Sequence, residues 1–346
     1  MQLKFKTFFV SIAIGVCLCL FGCGDEGVLL DELVPSGPSP LVDVGPVPDD
    51  IKEIIWGKDV DTLKAELEDA LDGVYTNADG QKVFDPNGLH ADALIHQICL
   101  RREREAYYTK YINAGGVAIM GNGYIKNRFF YAARDIVMGM TRKRPELREL
   151  LSPSREDRPG VMQPHLIRPN GNRLATPDLK FRIILVHVNQ GFTTVPEHHL
   201  GNNRIFYPPP PGTGGFSANK AWVGSLSGGY SAEDRINIYN VFSHEFAHAI
   251  HSAIRLIDPT FEDRLEAAYA AAKENGSFFG DVGSTHYALT TKWEYWAEGA
   301  KEWCGNLARY SFVRDQFHET DPLMYVLLSE WFDPIDLSAV ETKRYE

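Results

Sequence analysis

His244-Glu245-Phe246-Ala247-His248, set between Val241-Phe242 and Ala249-Ile250, decides how this chain is read. A separation of four residues puts both imidazoles on one face of a helix, one turn apart, where they can share a single Zn²⁺. Glu245 follows about 100° further round the axis, placed to take a proton from water at the metal. The apolar flanks make this a buried helix. Two histidines and a glutamate in such a helix need partners or a metal, because burying them alone costs several kcal/mol. His251 does not complete the set. Three nitrogens from one straight helix fit a tetrahedron poorly, so His251 belongs among supporting or core residues.

Working outward, Ser231-Ala-Glu-Asp234 reads as a helix start with an acid three residues after the cap. Asp258-Pro259 stops that helix near Ile257. An Ala-rich helix over Thr260–Asn275 ends at Gly276, and a third covers about Thr291–Cys304. On the third, Glu294 and Glu298 share a face among Trp293, Trp296 and Trp303. A solvated acidic face is one reading of that pair. Their tryptophan neighbours favour a packed helix instead, where two carboxylates repel unless a cation lies near. Spacing alone does not say which of the two touches it.

The order His-Glu-x-x-His, then Tyr287, six residues, Glu294 and x-x-Ala-Glu298 resembles the gluzincin zinc metallopeptidases of the anthrax lethal factor and Pro-Pro endopeptidase group. The likeness covers about His244–Trp303. It implies a zincin-like metallopeptidase with a small mixed sheet, an HExxH active-site helix and a helical C-terminal part. It also implies His244, His248 and Glu294 as zinc ligands, Glu245 as the base, Tyr287 as the oxyanion donor and Glu298 as a supporting residue behind the ligands. Two other readings stay open: a zinc hydrolase of a non-peptide bond, and a surface-anchored binding module on a catalytically silent fold. Retention of Glu245 argues against the silent form, since holding zinc does not require it.

Upstream, Leu63, Leu67 and Leu71 mark an amphipathic helix over Asp59–Leu71. Leu89–Ile112 reads as a second helix, stopped at Gly115-Gly116. Val117–Met120 is a short strand candidate. Tyr124–Leu151 has helical spacing interrupted near Pro145, and Phe181–Val188 is the strongest strand. Residues 152–180 read as an excursion, and 201–229 as a Pro/Gly/Asn-rich region carrying the Pro208–Pro211 run. An edge strand within Lys220–Ser227 would let an extended peptide add to the sheet. Strand, helix and strand followed by helices give an α+β class.

The N-terminus reads as an address. Lys4 and Lys6 precede an apolar run of 14 residues, Phe8–Phe21, short of the roughly 20 that span a bilayer and laid out as a signal peptide. Leu20-Phe21-Gly22-Cys23 resembles the bacterial lipobox, in which the cysteine is lipidated. Phe21 replaces the small or β-branched residue usual there. The resemblance implies an exported protein held to a membrane of the cell envelope through Cys23. The expected organisation is a signal peptide over 1–22, a Pro/Gly-rich tether over 23–55, an N-terminal helical region over 56–116 and the catalytic domain over 117–346. Across all 346 residues, 44% are apolar, 23% are charged and the net charge is −11. That composition is globular and excludes a basic footprint for nucleic acid. The expected partner is a protein or peptide substrate. Cys99 and Cys304 alone lie outside the N-terminal segment, as one bridge or two thiols.

Overall fold

The computed structural model describes residues 43–77, 80–84, 88–152, 181–187, 195–196, 212–213, 216–217, 220–227, 238–275, 287–305, 314–335 and 337. The signal peptide, Cys23, the tether up to residue 42, the excursion over 153–180, the tetraproline run and the Ser231–Asp234 helix start lie outside them. All the described residues belong to one compact unit, Ser36–Glu346.

Helix α1 (Asp49–Trp56) follows Pro46 and Pro48 directly, with Ile51, Ile55 and Trp56 buried on one side. This corrects the expected tether over 23–55. The proline-rich composition masks an amphipathic helix of just over two turns that is already part of the fold. Next, the Asp59 carboxylate accepts the Thr62 N–H at 2.8 Å and opens α2 (Val60–Leu71), as the spacing predicts. A two-stranded hairpin, β1 (Val74–Thr76) with β2 (Lys82–Phe84), leads into α3 (Leu89–Tyr107). Helices α2 and α3 close over a small core of Leu63, Ala70, Ala91, Leu94 and Ile98.

The second helix was expected to reach Ile112, but it ends at Tyr107. Lys110–Ala114 is strand β3, paired antiparallel with β4 (Val117–Gly121). Gly115 and Gly116 have φ of 62° and 101°, the positive values that a tight two-residue hairpin requires at both central positions. Those glycines turn a hairpin rather than stop a helix, so the expected boundary at 116/117 falls between paired strands.

From β4 the sheet grows by parallel pairing to β5 (Arg182–His187). With β6 (Gly212–Thr213), β7 (Phe216–Ser217) and β8 (Lys220–Ser227) it becomes a six-stranded mixed sheet in the order β3-β4-β5-β8-β6. Strand β8 runs parallel to β5 on one side, and β6 and β7 pair antiparallel on the other. The expected edge strand at Lys220–Ser227 is therefore an interior strand, because the segment just before it folds back along its open side.

Both faces of the sheet are covered, which accounts for the unbroken apolar run of β5. Ala118, Met120, Ile184 and Val186 pack with Val47, Ile51, Ile55 and Trp56. Across the sheet, Gly121 meets α4 (Asn127–Met140); a Cβ there would sit 3.2 Å from Phe130 Cζ and 3.0 Å from the Leu185 carbonyl. After α5 (Glu146–Leu150), the long α6 (Ile238–Ile257) packs against β8 and α4. Then come α7 (Phe261–Asn275), a 3₁₀ turn (Tyr287–Leu289), α8 (Lys292–Gly305), α9 (Arg314–Thr320) and α10 (Pro322–Trp331). Helices together with small sheets, and a helical C-terminal part, match the α+β expectation. Among the described residues, no helix is long and apolar enough to cross a membrane. Cys99 and Cys304 are both free thiols, the first exposed and the second buried.

Candidate metal centre

The histidine-bearing helix is buried on almost every side. Phe242, Phe246, Ala247, Ala249, Ile250, Ala253 and Ile254 have no exposed surface. Helix α8 lies against it and is fixed at several points. The Thr291 hydroxyl accepts the Glu294 N–H at 3.2 Å, capping the helix start. Trp296 Nε1 donates to the Ala247 carbonyl at 3.0 Å, inside the motif itself. The Trp296 ring packs with Phe261 and Phe332 at 5.0 and 5.5 Å. From the same helix, the Tyr295 hydroxyl donates to Asp321 Oδ2 at 2.6 Å, while Asp321 caps α10 through the Met324 N–H at 3.1 Å.

That framework brings three predicted ligands together. His244 Nε2 lies 3.0 Å from Glu294 Oε2, His248 Nε2 lies 3.5 Å from the same oxygen, and the two Nε2 atoms are 3.3 Å apart. Glu294 Oε2 is buried without a hydrogen-bond partner of good geometry. Two imidazole nitrogens and a carboxylate oxygen converging in this way form a donor set for a metal ion. An orphaned buried oxygen is what such a site leaves when only the protein's atoms are counted.

Glu298, one turn further along α8, sits behind the set. Its Oε1 is 2.7 Å from His244 Nδ1, without in-line hydrogen-bond geometry. Its other oxygen pairs with Lys301. The field at the cluster is negative. Burial pulls the His244 imidazole down, but the Glu294 and Glu298 carboxylates reverse this and push it up to about 9. Burial pushes Glu294 up, and the two histidines outweigh it and hold the carboxyl well below the usual range. The same contest leaves Glu298 lowered to about 2, with His244 and Lys301 opposing burial.

Tyr287 stands at the mouth. Its ring centroid is 5.9 Å from that of His244, and the residue is 56% exposed. Burial of the hydroxyl and the Glu294 carboxylate beside it push its pKa up, so it stays a donor. Glu245 is half-buried, and its charge acts on both His244 and Tyr287. All six residues singled out on these helices and the intervening turn thus fall in one place.

His251 is not part of the donor set. Its Nε2 is 2.5 Å from Glu262 Oε1 on α7, and its ring packs against Phe261 at 5.4 Å. Glu262 also pairs with Arg255 at 3.2 Å and with Lys292 at 3.0 Å, so one carboxylate joins α6, α7 and the first residue of α8. Sequence reading missed Glu262, which meets His251 only because Pro259 turns the chain between them. It also missed Lys301, although the spacing from Glu298 is the i, i+3 of a helical ion pair.

No known protein family, curated protein or solved structure matches this chain.

Proposed function

We propose that this protein is a zinc-dependent peptidase, with His244, His248 and Glu294 as the metal ligands. One observation carries the reading. A tetrahedral zinc with bonds of about 2.0–2.1 Å holds its donors about 3.3–3.4 Å apart, and the three separations here are 3.0, 3.3 and 3.5 Å. Two nitrogens and one carboxylate oxygen, with a general base next in sequence, are also the donor chemistry of hydrolytic zinc rather than of a closed structural site. The gluzincin-like order of His244, Glu245, His248, Tyr287, Glu294 and Glu298 supports the same choice.

When bound, zinc supplies a Lewis acid that makes water a nucleophile near neutral pH and polarises a carbonyl. The protein's own groups do the rest. Glu245 accepts the proton of the attacking water and delivers it to the leaving amine. Tyr287 donates its hydroxyl to the carbonyl oxygen as that oxygen gains charge. Glu298 steadies the His244 ring from its far nitrogen, and Trp296 holds the two ligand-bearing helices in register. The substrate is a protein or peptide. The basic N-terminus, the apolar run and Cys23 support export and lipid anchoring in a bacterial cell envelope.

Metal analysis of the purified protein, together with a peptide library read by mass spectrometry, tests the reading. Zinc at one per chain with cleavage that chelator abolishes is the expected result. Bound zinc without cleavage of any peptide would favour the binding module. Tyr287→Phe adds a finer check. Losing one oxyanion donor costs about 10²–10³ in kcat, and a donor this exposed belongs at the lower end. We expect about a 10²-fold loss in kcat with zinc content unchanged; an unaltered kcat would make Tyr287 a packing residue.

A further inference from the structure

Glu302 lies two turns beyond Glu294 on α8 and is 6% exposed. Neither of its carboxylate oxygens has a hydrogen-bond partner among the described residues. Among the described residues the cation paired with it is Lys301, whose Nζ is 3.6 Å away, too far for a hydrogen bond. Lys301 is itself buried and pairs with Glu298, and Glu298 reaches His244 Nδ1. A run of charges therefore leads from a metal ligand along α8 to a carboxyl with no donor of its own.

We propose that Glu302 tunes the metal centre through Lys301 and Glu298, holding a proton when the cation is away and releasing it when the cation binds. The inference rests on the metal reading above. With Glu294, Glu298 and Glu302 ionised, three carboxylates against the Lys301 ammonium leave this face doubly negative, the complement of a divalent ion. Without the ion, a His244 imidazolium offsets only part of that charge in a buried place, and the group lacking a hydrogen bond is the one to take up the further proton. Burial pushes the Glu302 carboxyl up to about 7 against the pull of Lys301, and the Glu298 charge adds to the push. Helices α6, α7 and α10 and the 3₁₀ turn pack against α8, yet no described residue on them contributes to that shift.

The test is zinc affinity, measured by chelator competition on the full chain from pH 5.5 to pH 8, for the parent, Glu302→Gln, Glu302→Leu and Glu302→Asp. The donor set of His244, His248 and Glu294 is the same in every form, so its contribution cancels in the ratios. Relative to the two charge-free forms, the parent's advantage should widen by roughly tenfold between those pH values, and Glu302→Asp should keep most of the widening. Calorimetry in buffers of different ionisation enthalpy at pH 7 should find up to about half a proton more released by the parent than by Glu302→Gln. A ratio that stays constant with pH, or equal proton counts, would overturn the proposal. A purely structural loss would weaken binding alike at every pH. Parent protein that takes up no zinc anywhere in the range would instead sink the metal reading, and this inference with it.

Discussion

Glu245→Gln is expected to fold, to hold its metal and to turn over peptide about 10³-fold more slowly than the parent. The change keeps the size and helix preference of the side chain and removes only its capacity to accept a proton. Glu245 lies outside the donor set formed by His244, His248 and Glu294, so zinc content should match the parent's. Its charge acts on His244 and Tyr287, the proposed ligand and the proposed oxyanion donor. Loss of a positioned base removes 10²–10⁴ in rate, about 3–5 kcal/mol of barrier. Single-turnover cleavage at saturating enzyme checks this. A rate within a few-fold of the parent, with zinc bound, would remove Glu245 from the chemistry.

The second large effect separates the two carboxylates of α8. Glu294→Ala should lose zinc on dialysis against a mild chelator, because it deletes the only oxygen of the donor set. Glu298→Ala should keep zinc at an affinity lowered about 10–100-fold, the usual cost of losing a group that only orients a ligand. In that variant Lys301 loses a buried partner, so circular dichroism has to show an intact fold before affinities are compared. Melting temperature with and without zinc gives an independent readout, since a ligand bound only to the folded state raises stability by mass action. Should Glu298→Ala empty the site while Glu294→Ala does not, the roles are reversed.

The site was legible because helical spacing alone sets much of it. A separation of four from His244 to His248, and of four from Glu294 to Glu298, each fixes a shared face whatever the rest of the chain does. What joins those faces is non-local and left little trace. The bond from Trp296 to the Ala247 carbonyl and the reach of Glu262 to His251 depend on how α7 and α8 dock. Thr291-x-x-Glu294 has the spacing of a capping box. Its threonine does cap the helix, while its glutamate is turned to the histidines. The misread strands have the same kind of cause. Tyr111 and Ile112 suit a helix continuing from Tyr107 as well as a strand, and only pairing with β4 decides. Whether β8 is an edge depends on where residues 212–217 return.

The contact of Gly45 with β3 bears on how the protein behaves in concentrated solution. Gly45 N donates to the Tyr111 carbonyl at 3.1 Å and its carbonyl accepts the Tyr111 N–H at 2.8 Å, while Val47, Ile51, Ile55 and Trp56 lie over the adjoining face. This short segment occupies backbone groups on a terminal strand that would otherwise offer a template to a second copy. A chain begun at Trp56 would leave that strand and apolar surface bare, and should self-associate at concentrations where a chain begun at residue 43 stays monomeric. Light scattering of the two truncated forms decides it, and equal monodispersity would mean that the segment is dispensable for solubility. The few residues ahead of α1 would thus act as a gatekeeper against aggregation, a duty independent of the candidate metal centre.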